Sequence, residues 1–108
     1  MAFKLTQTPT FSAKLTINTA NDKGGWDRST MMVSFHRATT DELKELSGLT
    51  GAELLTRKLS GWRELVDDSG NDVPFNPENL DAFLRLPEAV TAAATAFWHG
   101  VHKANEKN

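Results

Sequence analysis

The stretch TFSAKLTIN, from Thr10 to Asn18, alternates apolar and polar side chains without interruption from Phe11 onward. This two-residue period is typical of a β-strand with one buried face. The segment from Met31 to His36 repeats the period, and the cluster from Asn21 to Gly25 between them favours a reversal of the chain. The two segments therefore predict an antiparallel β-hairpin whose long loop contains Trp26.

Two motifs in the middle of the chain indicate helix starts, because each has a threonine followed three positions later by a glutamate. Thr39 with Glu42 is expected to begin a short helix. Gly48 is expected to end it, since glycine adopts the left-handed conformation of a helix cap at low cost. Thr50 with Glu53 then begins a second helix directly.

Behind the second motif, apolar residues recur at helical intervals. They are Leu55, Leu59 and Trp62. Gly61 weakens a helix at this point, so an extended segment near Trp62 is the alternative.

The second half of the chain begins with a polar turn and continues as helix. The turn covers residues 67–72, and residues 73–75 after it form a short extended piece. Asn76 can cap the next helix, whose first residue is Pro77, and Pro87 begins the last helix. One face of this last helix is lined by Val90, Ala94, Phe97 and Val101.

These elements predict an α+β fold in which a small antiparallel β-hairpin packs with three to four helices, the C-terminal half of the chain being helical. A length of 108 residues predicts a single domain spanning residues 1–108. Its ends, residues 1–9 and 104–108, are expected to fray.

The composition excludes several classes of protein. The chain has no cysteine, so disulfides, thiolate metal sites and thiol catalysis are ruled out. The net charge of −2 argues against nucleic acid as a partner, although a local basic patch stays open as an alternative. No apolar stretch approaches the eighteen or so residues that a membrane span requires, and the first residues lack a signal peptide, which predicts a cytoplasmic protein.

Chemistry-bearing motifs are missing from the sequence. It contains no nucleophile elbow, no HExxH and no phosphate-binding glycine loop, so we do not expect an enzyme or a cofactor. His99 and His102 lie three positions apart on the last helix but lack the further ligands that zinc takes, so no metal is expected. The residues best suited to contact a partner protein are Trp26, Phe97, Trp98 and Val101, since buried aromatic anchors dominate protein interfaces.

The chain resembles the small tail assembly chaperones of long-tailed bacteriophages and prophages. Four stretches carry the resemblance. They are residues 11–17, residues 33–43, Trp62 with the acidic turn and the run from Pro74 to Leu80, and the last helix with Phe97 and Trp98.

This resemblance implies a protein of the host bacterial cytoplasm that binds the long helical tape-measure protein, keeps it soluble and helps to recruit tail-tube subunits. It implies no cofactor. The alternative is a small structural subunit of the tail, in the tube or a connector, that stays in the virion. The oligomeric state is open in both cases.

Overall fold

The computed structural model describes residues 1–106, and the side chains of residues 1–102. Its elements in chain order are β1 (Thr10–Ala20), β2 (Trp26–His36), α1 (Thr40–Leu46), α2 (Gly51–Lys58), β3 (Leu59–Arg63), α3 (Pro77–Leu84) and α4 (Pro87–Glu106). The three strands form one antiparallel sheet in the order β1-β2-β3. The predicted α+β class, with a small sheet and a helical C-terminal half, is confirmed.

The hairpin is longer than its apolar alternation indicates. β1 and β2 pair without interruption from Thr10 opposite His36 to Ala20 opposite Trp26. Trp26 is therefore the first residue of β2, which corrects its predicted place in the loop. The turn closes this tightly because the Asn21 side chain accepts hydrogen bonds from the amides of Lys23 and Gly25, both at 3.0 Å.

A third strand replaces the C-terminal end of the second predicted helix. α2 ends at Lys58, and Leu59 and Trp62 lie in β3, opposite Phe35 and Val33 of β2. The register shifts between Ser34 and Phe35, so β3 contains one extra residue at this point. The bulge lets Leu59 and Trp62, three positions apart, face the same side of the sheet. The apolar residues of this bulged strand therefore have the same spacing as residues on one face of a helix.

The two threonine motifs form their helix starts differently. Around Thr50 both predicted bonds are present, the Glu53 amide donating to Thr50 at 3.2 Å and the Thr50 amide donating to Glu53 at 2.9 Å. Thr39 accepts from the Glu42 amide at 3.2 Å, but the Glu42 carboxylate instead accepts from Nζ of Lys58 at 2.9 Å. The first motif is therefore only half formed, because a buried lysine competes for its glutamate.

The end of α1 differs from the prediction as well. Its C-cap is Ser47, which has right-handed φ and ψ angles of −65° and −19°. Gly48 is not in the left-handed region and does not serve as the predicted terminator. The amides of Gly48 and Leu49 instead bond to carbonyl oxygens three residues back, which winds the chain directly into the start of α2.

The acidic turn and the start of α3 agree with the sequence. Oδ1 of Asp67 accepts from the amides of Ser69 and Asn71 at 2.9 and 3.0 Å, and Gly70 has a φ of +83°. Asn76 caps α3 by accepting from the Asn79 amide at 2.8 Å. The loop between them is fixed to the sheet because Nε1 of Trp62 donates to the Val73 carbonyl at 2.8 Å.

The core lies between the sheet and α4. Phe97 of α4 contacts Phe35 of β2 and Phe11 of β1, with ring centroids 5.4 and 6.0 Å apart. The fully or nearly fully buried apolar residues are Leu15, Met31, Val33, Phe35, Leu46, Leu54, Leu55, Leu59, Phe83, Ala89, Ala93 and Phe97. They come from every element, so the sheet and the helices share one apolar cluster.

Small residues let α4 approach its neighbours closely. On its α2 side, a Cβ atom placed on Gly51 would lie 3.0 Å from Val90 and 3.6 Å from Ala94. On its β1 side, a Cβ atom on Gly100 would lie 2.5 Å from the ring of Phe11. α2 and α4 are therefore in close contact at this point.

The structure describes the first of the two ends predicted to fray more fully than the second. Residues 1–9 form no regular secondary structure, yet the Thr8 and Pro9 carbonyls accept from Arg37 at 2.6 and 3.0 Å. At the other end, residues 107 and 108 and the side chains of 103–106 lie outside the described part, so the expected fraying of 104–108 stays a prediction.

We expect Gly100→Ala to lower the free energy of unfolding by about 1–3 kcal/mol, because the new methyl group would displace the packed Phe11 ring. Gly48→Ala is the matched control: its Cβ would meet its nearest atom at 3.7 Å, an ordinary contact, and the change should stay within about 0.5 kcal/mol. Urea unfolding of both variants measures the difference. Equal stability of the two variants would contradict the close approach of α4 to β1.

Candidate partner-binding surface

One face of the sheet is covered by the helices and the other is open. Along β1 the odd-numbered residues face the core and the even-numbered ones are exposed, as the strand pleat requires. Because paired residues lie on the same face of the sheet, the strand register extends this alternation to β2 and β3. We call the uncovered side the open face; its side chains are Thr10, Ser12, Lys14, Thr16, Asn18, Ala20, Trp26, Arg28, Thr30, Met32, Ser34, His36 and Arg63.

The open face is basic although the chain as a whole is acidic. It carries Lys14, Arg28 and Arg63, and among the described strand residues none on this face is aspartate or glutamate. None of the three cations belongs to an ion pair within the described part of the chain. Since the net charge of the protein is −2, its charges are segregated and the open face favours an acidic partner.

The geometry of the open face combines these charges with apolar groups. Lys14, Met32 and Arg63 lie side by side across the three strands, so the half-buried Met32 is flanked by a cation on each side. Trp26 lies at the far end, beside Asn18, with 70% of its surface exposed. Arginine, methionine and tryptophan are enriched in protein interfaces.

Of the four residues predicted to contact a partner, the structure places Trp26 on the open face and Phe97 in the core. Phe97 has no exposed surface, which corrects the prediction that its ring is available to another protein. It is buried because it fills the space between Phe11 and Phe35 beneath α4. Helical periodicity indicated its face correctly, but that face meets the sheet.

Trp98 and Val101 are half-buried on α4, away from the open face. The ring of Trp98 stacks on His102 at a centroid distance of 5.9 Å and meets Phe97 edge-on at 5.2 Å. Gly100 places this end of α4 against Phe11, whereas Trp26 pairs with Ala20, about 30 Å further along β1. Trp26 and Trp98 therefore belong to separate surfaces.

Charged and imidazole groups elsewhere are engaged in local contacts or exposed to solvent. His99 and His102 are both exposed, and no group of three potential metal ligands occurs among the described side chains. In the acidic turn, Asp67 is occupied by backbone amides. These residues can therefore contact other molecules through their charge and their apolar surface.

The basic residues of the open face were missed by the sequence prediction. The alternation of residues 10–18 places Lys14 at a polar position of one face, so counting charges by strand parity would have found it. Arg28 lies in the part of β2 that the alternation did not indicate. Arg63 had no such signal, because it reaches the face only through β3, whose bulge gave it helical spacing.

We expect Phe97→Ala to lower the free energy of unfolding by about 3–5 kcal/mol, because it empties the centre of the aromatic cluster. Trp26→Ala, at an exposed hairpin end, should change it by no more than about 0.5 kcal/mol. Urea unfolding followed by circular dichroism compares the two. A large loss of stability in the Trp26 variant would show that its ring belongs to the core.

Comparisons with known proteins found no relative of this chain. No family model matches it, and neither a curated protein nor a solved structure does. Within residues 1–106, none of the helices combines the length and the apolar character that crossing a bilayer requires.

Proposed function

We propose that the chain is a tail assembly chaperone of a long-tailed phage or prophage, which binds the tape-measure protein in the host bacterial cytoplasm. The resemblance of four stretches to that family suggests the role. Support from the molecule itself comes mainly from one observation, the open face with its exposed Trp26 and three unpaired cations. Such a face is suited to hold a second polypeptide.

A long helical protein awaiting assembly presents amphipathic stretches whose apolar stripes aggregate unless they are covered. On the open face, Trp26 and Met32 offer apolar contact, and Lys14, Arg28 and Arg63 offer partners for carboxylates at the rim of such a stripe. Charge attraction speeds encounter and selects acidic segments, while the aromatic anchor slows dissociation. The separate patch of Trp98 and Val101 is available for a tail-tube subunit.

The test is co-expression with the neighbouring reading frames, followed by pull-down and titration of the captured tape-measure protein. We expect Trp26→Ala and Arg28→Glu each to weaken binding at least tenfold, because they remove the anchor and reverse one charge of the open face. Lys44→Glu on α1 and Leu86→Ala, an exposed apolar residue before α4, are matched controls and should bind normally. Affinity should fall as salt is added.

Three outcomes would overturn this function. The tape-measure protein stays insoluble or uncaptured in the presence of the chain; the open-face variants bind as well as the controls; or a labelled oligonucleotide binds with a steep salt dependence, which would assign the cations to nucleic acid.

A structural tail subunit is the second candidate, and the free edge of β1 favours it, because an unpaired strand edge allows copies to join into a ring. Mass spectrometry of purified mature particles separates the two functions. A structural subunit is present in many copies, and a chaperone is absent.

A further inference from the structure

The first six residues have the pattern of a strand but no strand partner. Met1, Phe3 and Leu5 alternate with Ala2, Lys4 and Thr6. Their relative exposures are 122%, 83% and 94%, and the segment forms no regular secondary structure. We call residues 1–6 the arm. Three large apolar side chains exposed side by side are typical of a segment that another surface covers.

The free edge of β1 offers such a surface. The Arg37 amide donates to the Pro9 carbonyl at one end of the hairpin, and the Asn21 amide donates to the Gly25 carbonyl at the other. In the hairpin register, it is therefore the odd-numbered residues of β1 whose backbone groups hydrogen-bond to β2. The even-numbered residues therefore direct their N–H and C=O groups to the free edge. Unpaired backbone groups in a row are a template for one more strand.

A groove runs beside this edge, between β1 and α4. We call it the edge groove; it is lined by Lys14 and Thr16 of β1 and by Ala92, Thr95, Ala96 and His99 of α4. It continues towards Ser12 and Gly100 at one end and towards Asn18 and Pro87 at the other. Because Ala92 and Ala96 are small, the groove leaves room for large apolar side chains from an added strand.

The arm cannot reach most of this groove in its own chain. Arg37 holds Thr8 and Pro9 in line with β1, so a reversal would have to occur at Thr6 and Gln7. The resulting hairpin would place Met1 no further along than Ser12. The groove from Ser12 to Asn18 therefore suits an arm from another molecule.

We propose that the arm of one copy adds as an antiparallel strand to the edge of β1 in a second copy, and that two copies exchange arms in this way. Residues directly opposite in an antiparallel pair share a face. Phe3 and Leu5 thus enter the edge groove when they lie opposite odd-numbered residues of β1. When Phe3 lies opposite Ala13, Lys4 lies opposite Ser12. This register avoids placing Lys4 opposite Lys14, which carries the same charge.

The area is sufficient for a stable dimer. A buried aromatic side chain alone covers about 150–250 Å². With the neighbouring leucine and methionine, and with two arms and two grooves, exchange hides on the order of 1,200–2,000 Å², the usual size of a specific interface. Reciprocal exchange also closes the assembly, since each copy gives one arm and receives one.

The first experiment measures the mass of the full chain by sedimentation equilibrium over a range of concentrations. We expect twice the mass of one chain, and we expect Phe3→Ser combined with Leu5→Ser to raise the dissociation constant of the dimer at least tenfold. Ser12→Pro should do the same, because it removes the N–H that lies opposite Lys4 on the free edge and leaves the backbone pairing with β2 intact. Val66→Ser combined with Leu86→Ser is the control, since both residues are exposed elsewhere.

The second experiment uses the absence of cysteine from the chain. Lys4→Cys and Ser12→Cys proteins, purified separately and then mixed under mild oxidation, should give a disulfide-linked heterodimer. Mixing Lys4→Cys with Thr30→Cys, on β2 of the open face, should give much less. This readout does not depend on how well the proline variant folds.

A chain that is monomeric at all concentrations would overturn the exchange. A dimer that survives the double serine variant, or that is disrupted by Ser12→Pro but not by the double serine variant, would show that copies join edge to edge without the arm. Equal cross-linking of Lys4→Cys to Ser12→Cys and to Thr30→Cys would also count against it. Arm exchange is independent of tape-measure binding, because the arm variant should dissociate the dimer while the open face keeps its partner.

Discussion

The structure depends on the packing of Phe97 between Phe11 and Phe35. These three rings fix α4 across the inner face of the sheet. α2 and α3 pack against α4, and α1 contributes Leu46 to the same core. The contact is possible because Gly100 has no side chain and Phe11 can lie against the helix backbone. A domain of this size buries only one face of its sheet well, so the placement of α4 decides which face stays in water.

That choice divides the surface into regions with different chemistry. The inner face packs against the core along most of its length, the outer face presents cations around Met32 and Trp26, and the edge of β1 presents backbone groups. The acidic residues lie largely on the helices and in the loops, so the two faces of the sheet differ in charge as well as in burial. A small domain can thus offer surfaces of different chemistry, of which the outer face and the edge groove meet at Lys14 and Thr16.

Local signals in the sequence predicted most of the elements, and non-local ones were missed. The alternation of residues 10–18, the cap at Asn76 and the turn at Asp67 each depend on a few neighbouring residues, and the structure has them. The third strand was predicted only as an extended alternative near Trp62, because its bulge depends on pairing with β2. Trp26 was identified as an exposed aromatic, but Phe97 was not recognised as core, since periodicity defines a helix face without saying what that face meets.

The ammonium group of Lys58 has a further consequence. It is almost fully buried and bonds to the Arg37 carbonyl at 3.0 Å and to the Glu42 carboxylate at 2.9 Å, which joins α2 to the connection between the sheet and α1. Moving α2 away would break both bonds, and it would leave the Glu42 carboxylate and the Arg37 carbonyl without their donor. Partial opening is therefore penalised, and the helical pair and the sheet are bound into one cooperative folding unit without any covalent crosslink.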